Sequence, residues 1–269
     1  MKRTIIGLLA AAPLCATPVD SAAQETTHPM YYVRQEFVRP AEIAAYETET
    51  VRWLGDLDEA DPATALQWVT VVGPEIGYAY VVPIAGLAGI DAVRRAITTS
   101  RPDAAARWST VGASEQTPID HIETLVIELR PDLSYLPRRV ELDPTLPFRK
   151  YHWYYVIPGL EGQFEGIAGQ LVDLYERSGV EHGFRIYNLV LGSDLPVFLM
   201  VERALDEADY AVRTQRIGEQ VGTGADALRG RFLAVSRRVE VMEATTRGDL
   251  SYPALSGGTS SDLQDIRDR

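Results

Sequence analysis

Glu123 and Glu240 stand 117 residues apart, each in a stretch of alternating apolar and polar residues. His121 shares its parity with Glu123, and Arg238 shares its parity with Glu240. A carboxylate buried beside arginine has a displaced pKa and can take up a proton, which is general-base chemistry. Earlier in the chain, Tyr31, Val33 and Phe37 alternate with Tyr32, Arg34 and Glu36. The first set is the apolar face expected to meet helices, and the second is expected to point toward an interior. Trp153, Tyr155 and Ile157 take the corresponding face later on. Together Tyr32, Arg34, Trp153 and Tyr155 would wall a small-molecule cavity, with His121, Glu123, Arg238 and Glu240 as its polar groups. Glu123 or Glu240 is then the candidate base, and Arg34 or Arg238 the candidate anion stabiliser. The same residues also read as ion pairs and packing between two sheets, and both readings stand.

Other chemistry has less support. The four histidines, His28, His121, His152 and His182, form no HExxH or other metal-ligand spacing, so no metal is expected. The glycines between Gly218 and Gly230 do not follow a strand in a βαβ unit, which excludes a dinucleotide fingerprint. No nucleophile elbow or phosphate loop occurs. Ser134 and Ser251 each sit beside Tyr and Pro after a strand, where turn chemistry accounts for them.

The elements that must position these residues occur twice. Asp132-Leu133-Ser134-Tyr135 recurs as Asp249-Leu250-Ser251-Tyr252, with Arg130 and Arg247 two residues ahead. Tyr31-Tyr32-Val33 recurs as Tyr154-Tyr155-Val156, 123 residues later. Recurrence in the same order at a nearly constant offset points to a tandem duplication. In the first half, Met30–Val38 reads as a strand and Pro40 opens a helix to about Leu57. Leu66–Val72 and Gly77–Pro83 form a hairpin around Gly73-Pro74. A helix from Ile90 to Trp108, broken near Pro102, precedes a strand at Ile119–Leu129. The second half repeats the order: strand Tyr151–Ile157, helix Phe164–Ser178, and hairpin Phe184–Leu191 with Val197–Arg203. A helical stretch Glu207–Leu233, interrupted at Gly222, leads to strand Val235–Thr245. Each half is βαββαβ, two helices on a four-stranded antiparallel sheet, and the fold class is α+β with two tandem ferredoxin-like repeats. The first spans 30–135 and the second 150–252, with a linker at 136–149 and a polar tail at 253–269.

This order of elements, duplicated in one chain, resembles the dimeric α+β barrel superfamily, which includes the antibiotic-biosynthesis monooxygenases and NIPSNAP-like proteins. The resemblance implies two sheets packed face to face as a barrel. Because one chain supplies both sheets, it implies a monomer. It transfers architecture and leaves function open. Haem-binding members use an axial histidine on a helix, which no histidine here matches, and no cofactor is expected.

The composition bounds the partners. The 269 residues carry 38 acidic against 26 basic side chains, a net charge of -12. Such a surface repels phosphate backbones, so nucleic acid is not an expected partner. No segment reaches 18 consecutive apolar residues, so no membrane span is expected. Lys2 and Arg3, the apolar run Ile5–Ala12 and Ser21-Ala22-Ala23 read as a cleaved export signal over 1–23, followed by a short flexible start at 24–29. Cys15, the single cysteine, falls within that signal, which leaves the mature chain without disulfides. The expectation is a periplasmic or secreted protein that binds a small, partly apolar molecule between its sheets. A cofactor-independent monooxygenase and a structural or assembly module are the alternatives.

Overall fold

The computed structural model describes residues 28–60, 67–74, 77–100, 118–137 and 146–253. The proposed export signal, the tail from 254 onward and most of the linker lie outside them. The described residues hold eight strands: β1 (Met30–Val38), β2 (Val69–Val72), β3 (Gly77–Ile84), β4 (Ile119–Leu129), β5 (Phe148–Val156), β6 (Phe184–Leu191), β7 (Val197–Ala204) and β8 (Ser236–Thr246). The helices are α1 (Ile43–Ala60), α2 (Gly89–Ser100), α3 (Glu161–Ser178), α4 (Glu207–Val221) and α5 (Thr223–Ala234). Strand β5 starts three residues ahead of the sequence expectation, inside the stretch taken as linker.

Local chemistry sets the helix ends. Asp206 caps α4 by accepting from the Asp209 N–H at 2.8 Å. Gly179 ends α3 in the left-handed region at φ 62°, its N–H turned back to the last turn. Gly222, at φ 59°, separates α4 from α5. Along α3, Phe164, Ile167, Ala168, Leu171 and Tyr175 keep a 3–4 spacing and are buried. They pack on Tyr154, Val156, Phe184, Ile186, Phe198 and Met200 of the second repeat's strands. In the first repeat, Tyr46, Leu54 and Leu57 of α1 lie with Tyr32, Tyr78, Tyr80, Val82 and Val126.

The strands close into one antiparallel barrel in the order β1-β3-β2-β8-β5-β7-β6-β4. Each repeat contributes a sheet with its first strand flanked by its third and fourth, the ferredoxin-like order. Two short seams join the sheets. Val71 and Val72 of β2 pair with Thr246 and Thr245 of β8. Across the barrel, Val126 to Leu129 of β4 pair with Leu191 to Tyr187 of β6.

The recurrent Arg-x-Asp-Leu-Ser-Tyr segment fastens these seams. After β4 it turns through a short 3-10 helix, and Tyr135 pairs with Phe184 of the second repeat. Arg130 grips Asp132 and reaches Glu165 on α3. After β8 the second copy crosses to the first repeat, where Tyr252 pairs with Trp68. There Arg247 grips Asp249 and reaches Glu47 on α1. Each repeat thus ends by clasping the other.

Candidate functional site: the barrel interior

A strand residue faces either the helices or the barrel axis. The buried clusters under the helices contain Tyr32 on β1 and Tyr154 and Val156 on β5, which fixes the parity of both strands. The interior of β1 therefore presents Tyr31, Val33, Gln35 and Phe37, and that of β5 presents Arg149, Tyr151, Trp153 and Tyr155.

This corrects the expected site at two positions. Tyr32 and Arg34 lie on the outer face, 4 % and 5 % exposed beneath the helices. Arg34 Nε donates to Glu36 Oε1 at 2.7 Å, and Tyr46 Oη donates to Glu36 Oε2 at 2.7 Å. Tyr46 and Tyr80 share a further short hydrogen bond of 2.5 Å. Burial first, then Tyr80 and Glu36, pushes the Tyr46 hydroxyl far above its ordinary range. The network ties α1 to the sheet through Tyr46. The inversion has a clear cause: inside a closed barrel both faces of β1 are buried, so the more apolar alternation need not be the one under the helices.

The other expected residues divide into two groups. Trp153, Tyr155, Arg238 and Glu240 do come together on β5 and β8, where Trp153 pairs with Glu240 and Tyr155 with Arg238. Tyr155 Oη donates to Glu240 Oε2 at 3.0 Å, and the Arg238 guanidinium lies 3.7 Å above the Tyr155 ring. Arg238 also bridges Asp194 at 3.0 Å and Glu240 at 3.3 Å. Burial, then Glu240, raises the Tyr155 hydroxyl pKa. His121 and Glu123 sit on β4 opposite Phe37 and Gln35, at equivalent places in the first repeat, and both are exposed. His121 stacks on Phe37 at 4.1 Å and meets Asp120 at 2.9 Å. The ion partners of Arg238 are thus Asp194 and Glu240 of its own repeat.

At the opposite end of the interior stands a group absent from the sequence expectation. Arg149 on β5 pairs with Arg203 on β7, and Arg185 on β6 pairs with Val201 beside them. Tyr31 meets Tyr187 edge to face, centroids 6.0 Å apart. Arg149 is 7 % exposed and its Nε donates to Thr246 Oγ1 at 2.9 Å. The Arg203 Nε is sealed from solvent with no hydrogen-bond partner among the described residues, as is the Trp153 indole N–H further along β5. Burial, then the neighbouring Arg149 and Arg185, drives the Arg203 pKa well below the ordinary guanidinium value. Burial also lowers Arg149, raises Tyr151, and pushes Tyr31 up to about 12. Beside these arginines is a cavity of about 40 Å3, lined also by Leu136, Pro137 and Gly183. By volume it holds two or three waters or one small polar group. Among the described residues, no group of three or more His, Cys, Asp or Glu side chains is placed to hold a metal.

Comparison with known proteins agrees with this architecture. No family model matches the chain, and no curated protein matches it. Solved structures do. An anthrone oxidase-like protein superposes with a TM-score of 0.56 at 12% identity, over 88% of this chain and 98% of that one. A provisionally described monooxygenase from Fusobacterium nucleatum gives 0.51 at 12% identity, over 82% and 93%. Another from Lactobacillus acidophilus gives 0.50 at 8%, over 81% and 94%. The likeness is one of fold.

The arginine end did carry a sequence signal. Arg149-x-Tyr151-x-Trp153-x-Tyr155 is a period-2 run that puts a cation on the same face as three aromatics. Arg185-x-Tyr187 repeats the pattern on β6. Starting the strand at Tyr151 cut Arg149 away from its own face.

Proposed function

We propose that the protein binds a small, partly apolar molecule inside its barrel, as an exported binding module. The observation that carries this reading is the interior lining of β5 to β7. A barrel core with no occupant would be expected to fill with aliphatic side chains. This one places arginines and tyrosines around a cavity and leaves buried N–H donors of Arg203 and Trp153 without acceptors. Buried donors of that kind are rare and want a partner. Export rests on the charged and apolar pattern of the first 23 residues. The test is native mass spectrometry of the protein recovered from the exported fraction of its own host. The expected result is a polypeptide mass beginning near Gln24, with a reproducible non-covalent adduct. A full-length mass would defeat the export reading, and a bare polypeptide would defeat the bound ligand.

A second reading, cofactor-independent oxygenation, draws support from the fold shared with an anthrone oxidase-like protein and two provisionally described monooxygenases. Glu240, hydrogen-bonded to Tyr155, or Glu123 at the same mouth would then accept the substrate's proton. Oxygen uptake with an anthrone, lost in Glu240→Gln or Glu123→Gln, is the outcome expected of that reading. No uptake above background would exclude it for this substrate.

A further inference from the structure

The arginine end of the barrel says more about what the ligand is. Resting on the reading that the interior takes a small molecule, we propose that its recognised group is an oxyanion, carboxylate or phosphate, held between Arg149 and Arg203. The two residues occupy paired positions on β5 and β7, so their backbones run side by side. Two guanidiniums this close repel, and burial removes the water that would screen them. Among the described residues, the groups that set the electrostatics of both are other arginines and tyrosines. Arg149 spends its Nε on a neutral hydroxyl, Thr246, and the Arg203 Nε has no acceptor. Among the described residues that line this site, none carries negative charge. Guanidinium forks bind a planar or tetrahedral oxyanion through two parallel N–H bonds each. Tyr151 and Tyr187 can donate O–H bonds to the same oxygens, since burial keeps the Tyr151 phenol protonated. The cavity admits a head group of this size.

The test is calorimetry on the mature protein with three probes that share a ring: benzoate, phenyl phosphate and benzyl alcohol. The expected result is binding of at least one anion, weakened roughly tenfold or more in Arg203→Gln and restored in part by Arg203→Lys. Benzoate ahead of phenyl phosphate would identify a carboxylate, and the reverse order a phosphate. A second readout guards against misfolding: removing one of two repelling charges should leave the ligand-free Arg203→Gln protein melting at or above the wild type. Benzyl alcohol binding as tightly as benzoate, unchanged in Arg203→Gln, would overturn the oxyanion and keep the cavity. No heat from any probe, with the native adduct still present, would do the same. No heat and no adduct would overturn both. Glu141 and Asp143 are the two carboxylates of the 136–149 linker, and anion binding that emerges only after Glu141→Gln with Asp143→Asn would show that the chain's own carboxylates neutralise the arginines, which also overturns the proposal.

Discussion

Arg247 and Glu47 lie 200 residues apart in the chain, and the Arg247 Nη1 donates to Glu47 Oε1 at 2.8 Å. Arg130 and Glu165 make the same contact on the other side of the barrel. Glu47 and Glu165 are matching positions of α1 and α3, so each repeat's last arginine reaches the first helix of the other. The barrel's two seams are short, and these clasps supply much of what joins the sheets.

Glu47→Gln tests the clasp. Glutamine keeps one oxygen to accept from the Tyr78 hydroxyl, which donates to Glu47 at 2.7 Å, and removes the charge and the second acceptor, which takes Arg247 Nη2 at 3.2 Å. The pair is partly exposed, so the expected loss is about 1 kcal/mol, or about 3 °C in Tm. Hydrogen bonding from Arg247 lowers the Glu47 pKa below 4.5, and the same guanidinium lowers Asp249. A carboxylate with a depressed folded pKa stabilises above its unfolded value and loses that effect as pH falls through the folded one. The difference between wild type and Glu47→Gln should therefore be full at neutral pH and shrink below pH 4.5. Melting curves across that range check it, and a pH-independent gap would contradict the ion-pair account.

Ser251→Ala probes the same clasp from its buried side. Ser251 is fully buried; its hydroxyl donates to Arg247 O at 2.8 Å and accepts from Thr70 N–H at 2.9 Å. Alanine leaves the Thr70 N–H without that acceptor, which costs about 1–3 kcal/mol. Ser134, which accepts from Ile186 N–H at 2.9 Å, should behave alike. The two sites share no partner, so the double variant should lose the sum by chemical denaturation. A loss equal to either single variant would mean that one seam opens before the other contributes.

The repeat itself was legible in the sequence, and its register was only partly so. The Asp-Leu-Ser-Tyr match is structural, because both copies perform the clasp. The Tyr-Tyr-Val match is not. Val38 pairs with Ile119 and Val156 with Ser236 after equivalent register shifts, which aligns the first strands at an offset of 118. Arg34 thus corresponds to His152, and Tyr31 to Arg149. Local tripeptides cannot reveal this, since strand register depends on partners more than a hundred residues away. Glu123 and Glu240 were aligned correctly because each stands seven residues ahead of the matched segment and keeps its offset of 117. The arginine end stayed hidden because Arg203 and Arg185 acquire their meaning only when β5, β6 and β7 are adjacent.

The carboxylates at the two expected places should separate cleanly on stability. Glu36→Gln removes the charge that pairs with the Arg34 guanidinium, 5 % exposed, and breaking a buried pair from one side costs about 3–5 kcal/mol. Glu240→Gln touches a pair whose side chains are 48 % and 43 % exposed, for which less than about 1 kcal/mol is expected. Urea unfolding of both variants checks the ranking. Equal losses would mean that the Arg34 network is not the buried tie that holds α1 to the barrel.

Gly183 joins the clasp to the cavity, and its replacement should affect both. A Cβ there would come within 2.4 Å of the Tyr135 carbonyl oxygen and 2.8 Å of Pro137 Cδ. The first of these is backbone, held by the Tyr135–Phe184 bridge through hydrogen bonds of 3.0 and 2.9 Å. It cannot yield as a flexible side chain does, so Gly183→Ala must displace the segment carrying Leu136 and Pro137. Overpacking against fixed structure costs about 1–3 kcal/mol. Those two residues also line the cavity beside Arg149 and Arg203, so the displacement reshapes it. The expected variant is less stable and binds an anionic probe with altered affinity, whereas Ser251→Ala, at the other seam, leaves probe affinity unchanged. Calorimetry on both variants checks the distinction, and an equal effect from Ser251→Ala would argue that the two ends of the barrel are coupled through its seams.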